Sequence, residues 1–413
     1  MRYLYSLIIQ LFEWLLPVLG LFSSKLKEFR AVRQSVFAEL PKKIDTEDQI
    51  IWVHTASLGE YEQAVPLLEA LRREYPQAKI VLTFFSPSGY EVRSNTSLAD
   101  VVTYLPLDTS ANASRFLELV KPNLAIFVKY EFWPNFLYAL HKRHVHTILI
   151  SGVFRETQPF FKTYGKWMIS SLKAFDFFFL QNRESKTALK QLGFKNAEVS
   201  GDTRFDRVAA QLFYDNTLDF IQDFKNDQLL LVCGSTWPED EALLLDFINK
   251  TLIKVVVAPH KIDREKIANF ESQISRSVVK YTDYKKKNLA QADVLILDHV
   301  GLLTKVYAYA DLAFVGGAAG NTGLHNILEP ATFGIPILTG THIDKFQEAQ
   351  DLRKLAGLFT VSTSQEVTEL LTKFVEDSDY RSHTGMIAEH FISSQTGATK
   401  MIINYLRTQT LTA

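Results

Sequence analysis

At three places in the first half of this sequence, acidic or basic side chains stand just past short apolar runs, where a fold of alternating strands and helices exposes them. The run Ile51-Trp52-Val53-His54-Thr55-Ala56-Ser57-Leu58-Gly59-Glu60 ends a strand and opens a helix. Ser57-x-x-Glu60 fits a capping box, in which Ser57 accepts the third helical N–H and Glu60 reaches back to the cap. Taken alone the run favours the cap; the functional reading is Glu60 as a general base toward an acceptor hydroxyl. His54 reads more simply as a buried, hydrogen-bonded histidine. In Lys129-Tyr130-Glu131-Phe132-Trp133-Pro134-Asn135, Pro134 starts a helix, and Glu131 either caps it or belongs to a site. In Gly201-Asp202-Thr203-Arg204-Phe205-Asp206, Arg204 is either an inert surface cation or one that reaches a leaving phosphate.

The second half repeats the theme with different chemistry. Cys233-Gly234-Ser235-Thr236-Trp237-Pro238-Glu239 ends a strand at a helix start whose N–H groups suit an anion. Val257-Ala258-Pro259-His260-Lys261 ends another strand on a cationic group. The run Phe314 to Pro330, FVGGAAGNTGLHNILEP, joins a glycine-rich turn to a helix start. Glycines let a backbone approach phosphate closely, and Glu329 can accept hydrogen bonds from ribose hydroxyls, so this run points to a nucleotide. No GxxxxGK[ST] is present, which excludes a P-loop NTPase. Asp377-Ser378-Asp379 lies in a polar helical tail far from any strand end, and no metal site is read.

Positioning these groups requires strands of a regular kind. Candidates are 50–54, 79–85, 101–107, 124–128, 147–151 and 175–180, then 228–233, 253–258, 277–281, 294–297, 312–315, 335–338 and 358–361. Each alternates with an amphipathic stretch, the pattern of α/β domains around parallel sheets. The expected organisation is an N-terminal helix over 1–24, one Rossmann-like domain over 45–206, a connection over 207–227 and a second Rossmann-like domain over 228–387. A C-terminal helix over 388–413 is long enough to cross back to the first domain, and the expected site is the cleft that two such sheets would face.

The remaining composition narrows the class. At 413 residues the chain has room for two to three domains of roughly 150 residues each. Lys+Arg 45 against Asp+Glu 46 gives a net charge of -1, so no cationic field draws it to nucleic acid. A single cysteine, Cys233, excludes an internal disulfide or a CxxC site. Tyr3 to Phe22 is close to the length of a membrane span, but Gln10, Glu13 and Pro17 interrupt it. Ser6, Gln10, Glu13, Pro17 and Gly20 form one narrow polar stripe on a helix that is otherwise apolar. Such a helix suits a membrane interface, the alternative being a helix packed on the protein's own core. Lys25, Lys27, Arg30 and Arg33 follow it and favour the cytoplasmic side.

Taken in order, the apolar N-terminal helix, WVHxxSxGE ending at Glu60, ExWPN from Glu131 to Asn135, GDTRFD from Gly201, the GST of Gly234 to Thr236, and FVGG with HNxxEP resemble the Kdo (3-deoxy-D-manno-octulosonate) transferases of lipid A assembly. The similarity runs nearly end to end. It implies a GT-B fold and an inverting, metal-independent glycosyltransferase that needs no cofactor. CMP-Kdo is then the donor and the lipid A precursor, lipid IVA, the acceptor, at the cytoplasmic face of the inner membrane, with the protein acting as a monomer. The first domain becomes the acceptor domain and the second the CMP-sugar domain. Glu60 matches the family's proton acceptor, and Glu131 and Arg204 its transition-state stabilisers. Pro259, His260, Val300, Gly301, Leu302, Asn326, Ile327, Leu328 and Glu329 match the segments that contact CMP. Four positions depart from the family's habit: His260 for Arg, Leu302 for Glu, Lys129 for Glu and Arg204 for Lys. Rival readings are a UDP-sugar transferase or 2-epimerase of the same fold, and a membrane-tethered binding protein without catalysis.

Overall fold

The computed structural model describes residues 1–45 and 47–409, the side chain of Lys286 aside. The chain divides into two compact units, Met1–Arg207 with Thr396–Ala413, and Val208–Gln395. Each holds one seven-stranded sheet in which every recorded pairing is parallel.

The first sheet comprises β1 (Ile50–Thr55), β2 (Lys79–Phe84), β3 (Val101–Tyr104), β4 (Leu124–Val128), β5 (His146–Gly152), β6 (Phe177–Leu180) and β7 (Ala197–Val199). Their order is β3-β2-β1-β4-β5-β6-β7, the Rossmann arrangement, with its topological switch between β1 and β4. Along β1, Trp52 packs into the core on one face of the sheet while Ile51 and Val53 enter the core on the other. Helices cover both faces, which is why these strands read as unbroken apolar runs. Trp52 is enclosed by Phe116, Phe127 and Phe136 at ring separations of 5.0, 5.2 and 5.8 Å.

The second sheet comprises β8 (Leu230–Thr236), β9 (Lys254–Pro259), β10 (Val278–Lys280), β11 (Val294–Ile296), β12 (Leu312–Val315), β13 (Ile337–Thr339) and β14 (Leu358–Thr360), in the order β10-β11-β9-β8-β12-β13-β14. Its switch lies between β8 and β12. The expected strands are all present, β4 and β12 with the expected ends and the others with shifted ends, and β7, which carries only three residues, is additional.

Two boundary expectations change. Residues 207–227 contain the helix Asp219–Lys225, whose Phe220, Ile221 and Phe224 join the core of the second unit. The expected last helix over 388–413 is instead, among the described residues, two helices, Ser378–Ser393 and Ala398–Thr408, broken at Gly397 with φ 113°. Asp206 holds that break by accepting the N–H groups of Gly397 and Thr399, each at 2.6 Å. The final helix packs Ile402, Ile403 and Leu406 into the core shared with Leu67, Leu68 and Leu71 of helix α3 (Leu58–Glu74).

Helix α1 (Arg2–Phe22) continues through Pro17, and of its residues only Leu16 is buried. Its polar stripe faces the first unit. Tyr5 donates to Asp108 at 2.9 Å, Ser6 to Asn135 at 3.0 Å, and Glu13 accepts from Asn112 at 2.7 Å. Leu7, Ile8, Leu11, Trp14, Val18, Leu21 and Phe22 are left exposed. Helix α2 (Ser24–Glu39) follows; Lys25 and Lys27 are exposed on it, whereas Arg33 is buried rather than part of a solvent-facing basic flank.

Candidate active site

The first unit assembles its polar groups at the carboxyl ends of its strands. β1 delivers Glu60 on the opening turn of α3, and its neighbour β4 delivers Glu131 on the following loop. Glu60 is 8% exposed. Ser57 makes no side-chain cap, so the expected capping box is not formed; its hydroxyl donates to the Glu60 carboxylate instead. The carboxylate is therefore engaged by a group that can also release it, and is not spent on the helix end.

Beneath Glu131 lies a buried relay that spacing did not reveal. The Trp133 indole N–H is shared between Glu131, at 2.9 Å, and His54 Nε2, at 3.0 Å. With Nε2 accepting, the ring proton sits on Nδ1 and donates to Thr83 Oγ1 at 2.8 Å, which also receives the Trp52 indole N–H at 2.9 Å. His54 is thus the satisfied core histidine that the sequence suggested, and it orients the group that orients Glu131. Glu131 does not cap the helix Pro134–Lys142, whose N-cap is Trp133.

Arg204 opens the helix Thr203–Ala210 beyond β7, three strands from β4. Its Nε donates to the buried Asp202 at 2.9 Å. Asp202 also accepts from Gln63 of α3 at 2.9 Å and from Gln181 at 3.0 Å, while Thr203 donates to the Gln63 carbonyl at 2.5 Å. One turn past Glu60, α3 is thereby fastened to the segment bearing Arg204. Asp202 was read only as part of the GDTRFD run and Gln63 not at all, because the contact that joins them spans 139 residues.

In the second unit the nucleotide-type segments also collect at one edge. His260 follows Pro259 at the end of β9, and its ring stacks on Trp237 at 4.8 Å and on His325 at 4.3 Å. Trp237 donates its indole N–H to His325 Nε2 at 3.0 Å. Burial, together with the neighbouring His260, pushes the His325 imidazole down to about 4. Burial and the Lys261 ammonium lower His260 as well. Val300, Gly301 and Leu302 form an open turn before the helix Leu303–Tyr307, with Gly301 at φ 90° and Val300 exposed. Thr304 of that helix donates to Glu329 at 2.9 Å, and Asn326 donates to the same carboxylate at 3.0 Å, which joins this turn to the segment Asn326, Ile327, Leu328 and Glu329.

The glycine-rich turn is not an open anion cradle. Asp240 accepts the N–H groups of Trp237, Gly317 and Ala319 at 2.9, 2.8 and 3.3 Å, so donors expected to meet an anion are already occupied. A Cβ at Gly316 would run into the Ser235 carbonyl and the Asp240 carboxylate, which explains a glycine there. Asp240 is the third residue of the helix Pro238–Lys250, the place from which a carboxylate reaches back, and that was its available signal. Asp377 caps the helix Ser378–Ser393 by accepting the Tyr380 N–H. Cys233 is buried in β8.

The family model described as 3-deoxy-D-manno-octulosonic-acid transferase (kdotransferase) matches residues 30–207, a span that includes Glu60, Glu131 and Arg204. The 3-deoxy-D-manno-octulosonic acid transferase of Aquifex aeolicus is 32% identical over 337 residues, covering 79% of this chain and 85% of that protein. The chain belongs to the Kdo transferase family. Another Kdo transferase, from Chlamydophila psittaci, is 28% identical over 345 residues, 80% of this chain and 78% of that protein. Among solved structures, a UDP-GlcNAc 2-epimerase from Neisseria meningitidis bound to UDP-GlcNAc superposes with a TM-score of 0.62 at 14% identity, covering 87% of this chain and 100% of that one. That likeness concerns fold, and the fold is GT-B. As a member of the Kdo transferase family the protein is a glycosyltransferase of lipopolysaccharide biosynthesis.

Proposed function

We propose that the protein moves Kdo from CMP-Kdo to lipid IVA with inversion at the anomeric carbon. Glu60 takes the proton of the attacking sugar hydroxyl as the new C–O bond forms, and the bond from Kdo to the CMP phosphate breaks, its electron pair leaving with CMP. Glu131 and Arg204 stabilise the charge that develops in that step. The CMP moiety is held by Pro259, His260, Val300, Gly301, Leu302, Asn326, Ile327, Leu328 and Glu329. No metal enters the mechanism.

The observation that carries this reading is the state of Glu60, a nearly buried carboxylate at the switch point of the first sheet, released from helix capping and hydrogen-bonded by a hydroxyl. His260, depressed and stacked, is neutral at pH 7 and contributes a flat surface, leaving Lys261 as the cation beside it. The outward apolar face of α1 suits the cytoplasmic surface of the inner membrane, where an acylated acceptor resides. Purified protein in neutral detergent, given CMP-Kdo and lipid IVA, should yield a product heavier by whole Kdo residues. CMP should compete and UDP should not; preference for UDP would overturn the assignment of the donor.

A further inference from the structure

A cavity of about 360 Å³ lies within the first unit where α1 and α2 meet the segment after β3. Arg30 and Arg33 of α2, Arg115 of the helix Ser110–Val120 and Glu13 of α1 line it, with Leu16 and Phe37 among its apolar walls. Three guanidinium groups against one carboxylate leave an excess of two positive charges. The carboxylate of Glu13 is already occupied by Asn112 and Gln10. Among the described residues none of the three arginines forms an ion pair.

Arg33 is the unusual member. It is 5% exposed, lies 3.5 Å from the Phe29 ring and 4.7 Å from that of Phe85, and spends Nη1 and Nη2 on the carbonyls of Phe29 and Phe85. Its Nε is buried without a partner. A buried cation with no counter-charge and an unsatisfied donor is costly unless something anionic completes it. Burial lowers its affinity for a proton to a pKa of about 10, a sign of how poorly its charge is compensated.

We propose that this cavity is a phosphate site, taking the phosphomonoester or diester of a lipid. A phosphomonoester dianion cancels the excess charge and a diester half of it, and guanidinium forks match phosphate oxygens in pairs. The argument rests on the reading of α1 as a membrane-surface helix, because that helix forms one wall of the cavity while its opposite face is exposed and apolar. A group entering beside Leu16 then arrives from the level of lipid headgroups. Its phosphate belongs either to a bilayer phospholipid or to the glycolipid acceptor.

The full-length protein in neutral detergent is titrated with inorganic phosphate while its melting temperature is followed; it should rise, and should not rise for Arg33→Met. Arg115→Gln, an exposed position, serves if Arg33→Met fails to fold, and should at least halve the rise. Vesicles then test the source. The wild type should prefer phosphatidylcholine vesicles containing phosphatidic acid over pure phosphatidylcholine by about fivefold per engaged arginine, a preference the variants lose. If the acceptor supplies the phosphate instead, the variants keep that preference and raise KM for the phosphorylated acceptor but not for its dephosphorylated analogue. Unchanged melting, vesicle preference and KM in the variants would overturn the site. A protein that binds no vesicle of either kind, yet is still stabilised by phosphate through Arg33, refutes the placement of α1 and leaves the site standing.

Discussion

Along the edge of the first sheet, side chains fix one another: Trp52, Thr83, His54 and Trp133 form a buried chain that ends on Glu131, and Gln63 with Asp202 steadies Arg204. Along the edge of the second, one side chain fixes the backbone: Asp240 gathers three N–H groups of two loops, and stacked rings cover the end of β9. The first construction holds titratable groups at set positions, as acid–base chemistry requires. The second holds a shape, as recognition of a nucleotide requires. In the proposed function one topology, a parallel sheet with a switch point, serves both, and the residues placed at the switch decide which.

The strongest way to break this contrast is Glu60→Gln. It should lower kcat by ~10²- to 10⁴-fold while CMP binding, followed by calorimetry, stays within twofold. A variant with substantial turnover would remove Glu60 from the chemistry. Asp240→Ala is the mirror experiment. It strands three N–H groups, that of Gly317 buried and those of Trp237 and Ala319 half-buried, and should cost ~2–3 kcal/mol, seen as weaker CMP binding and a lower melting temperature. If CMP affinity is untouched, the glycine-rich turn does not serve the nucleotide.

Smaller effects sharpen the picture. Trp133→Phe keeps the ring but deletes the donor shared by His54 and Glu131, and should reduce kcat about tenfold with little change in KM for the donor. An equal loss in both would mean that Trp133 shapes binding instead. The smallest effect is a pH dependence in the second unit. His325 is depressed to about 4, so below its ordinary value near 6.5 the unfolded chain takes up a proton that the folded chain refuses. Its contribution is present above pH 6.5 and lost as pH falls toward 4. Allowing for solvent screening, the loss is ~1 kcal/mol. His325→Gln should flatten that part of the stability curve relative to wild type, and parallel curves would exclude the histidine as the cause.

Much of the fold was legible because parallel strands buried on both faces leave apolar runs whose ends are hard to hide. β7 was not, since Ala197-Glu198-Val199 is too short to show a pattern. The helical wheel of α1 gave the stripe of Ser6, Gln10 and Glu13 correctly, but a wheel does not say whether a stripe faces water or protein. That depended on Asp108, Asn112 and Asn135, about a hundred or more residues away. Ser57-x-x-Glu60 shows the opposite difficulty: the local pattern was read, and a hydroxyl rotated toward the carboxylate changed its meaning. Asp240 is the clearest gap, because its partners at Gly317 and Ala319 lie far along the chain.

Under the proposed membrane placement, the inward polar stripe of α1 also bears on a question of height. An enzyme that modifies a lipid must hold its reactive groups at the level where the sugar emerges, neither sunk among acyl chains nor far out in water. Ser6 bonds to Asn135, and Asn135, on the opening turn of the helix Pro134–Lys142, lies four residues after Glu131. With α1 resting on the bilayer as proposed, the elevation of that turn above the lipid is set by one helix diameter and a hydrogen bond. The N-terminal helix is then a gauge as much as a tether, and a foreign anchor of equal hydrophobicity would restore attachment without restoring the level.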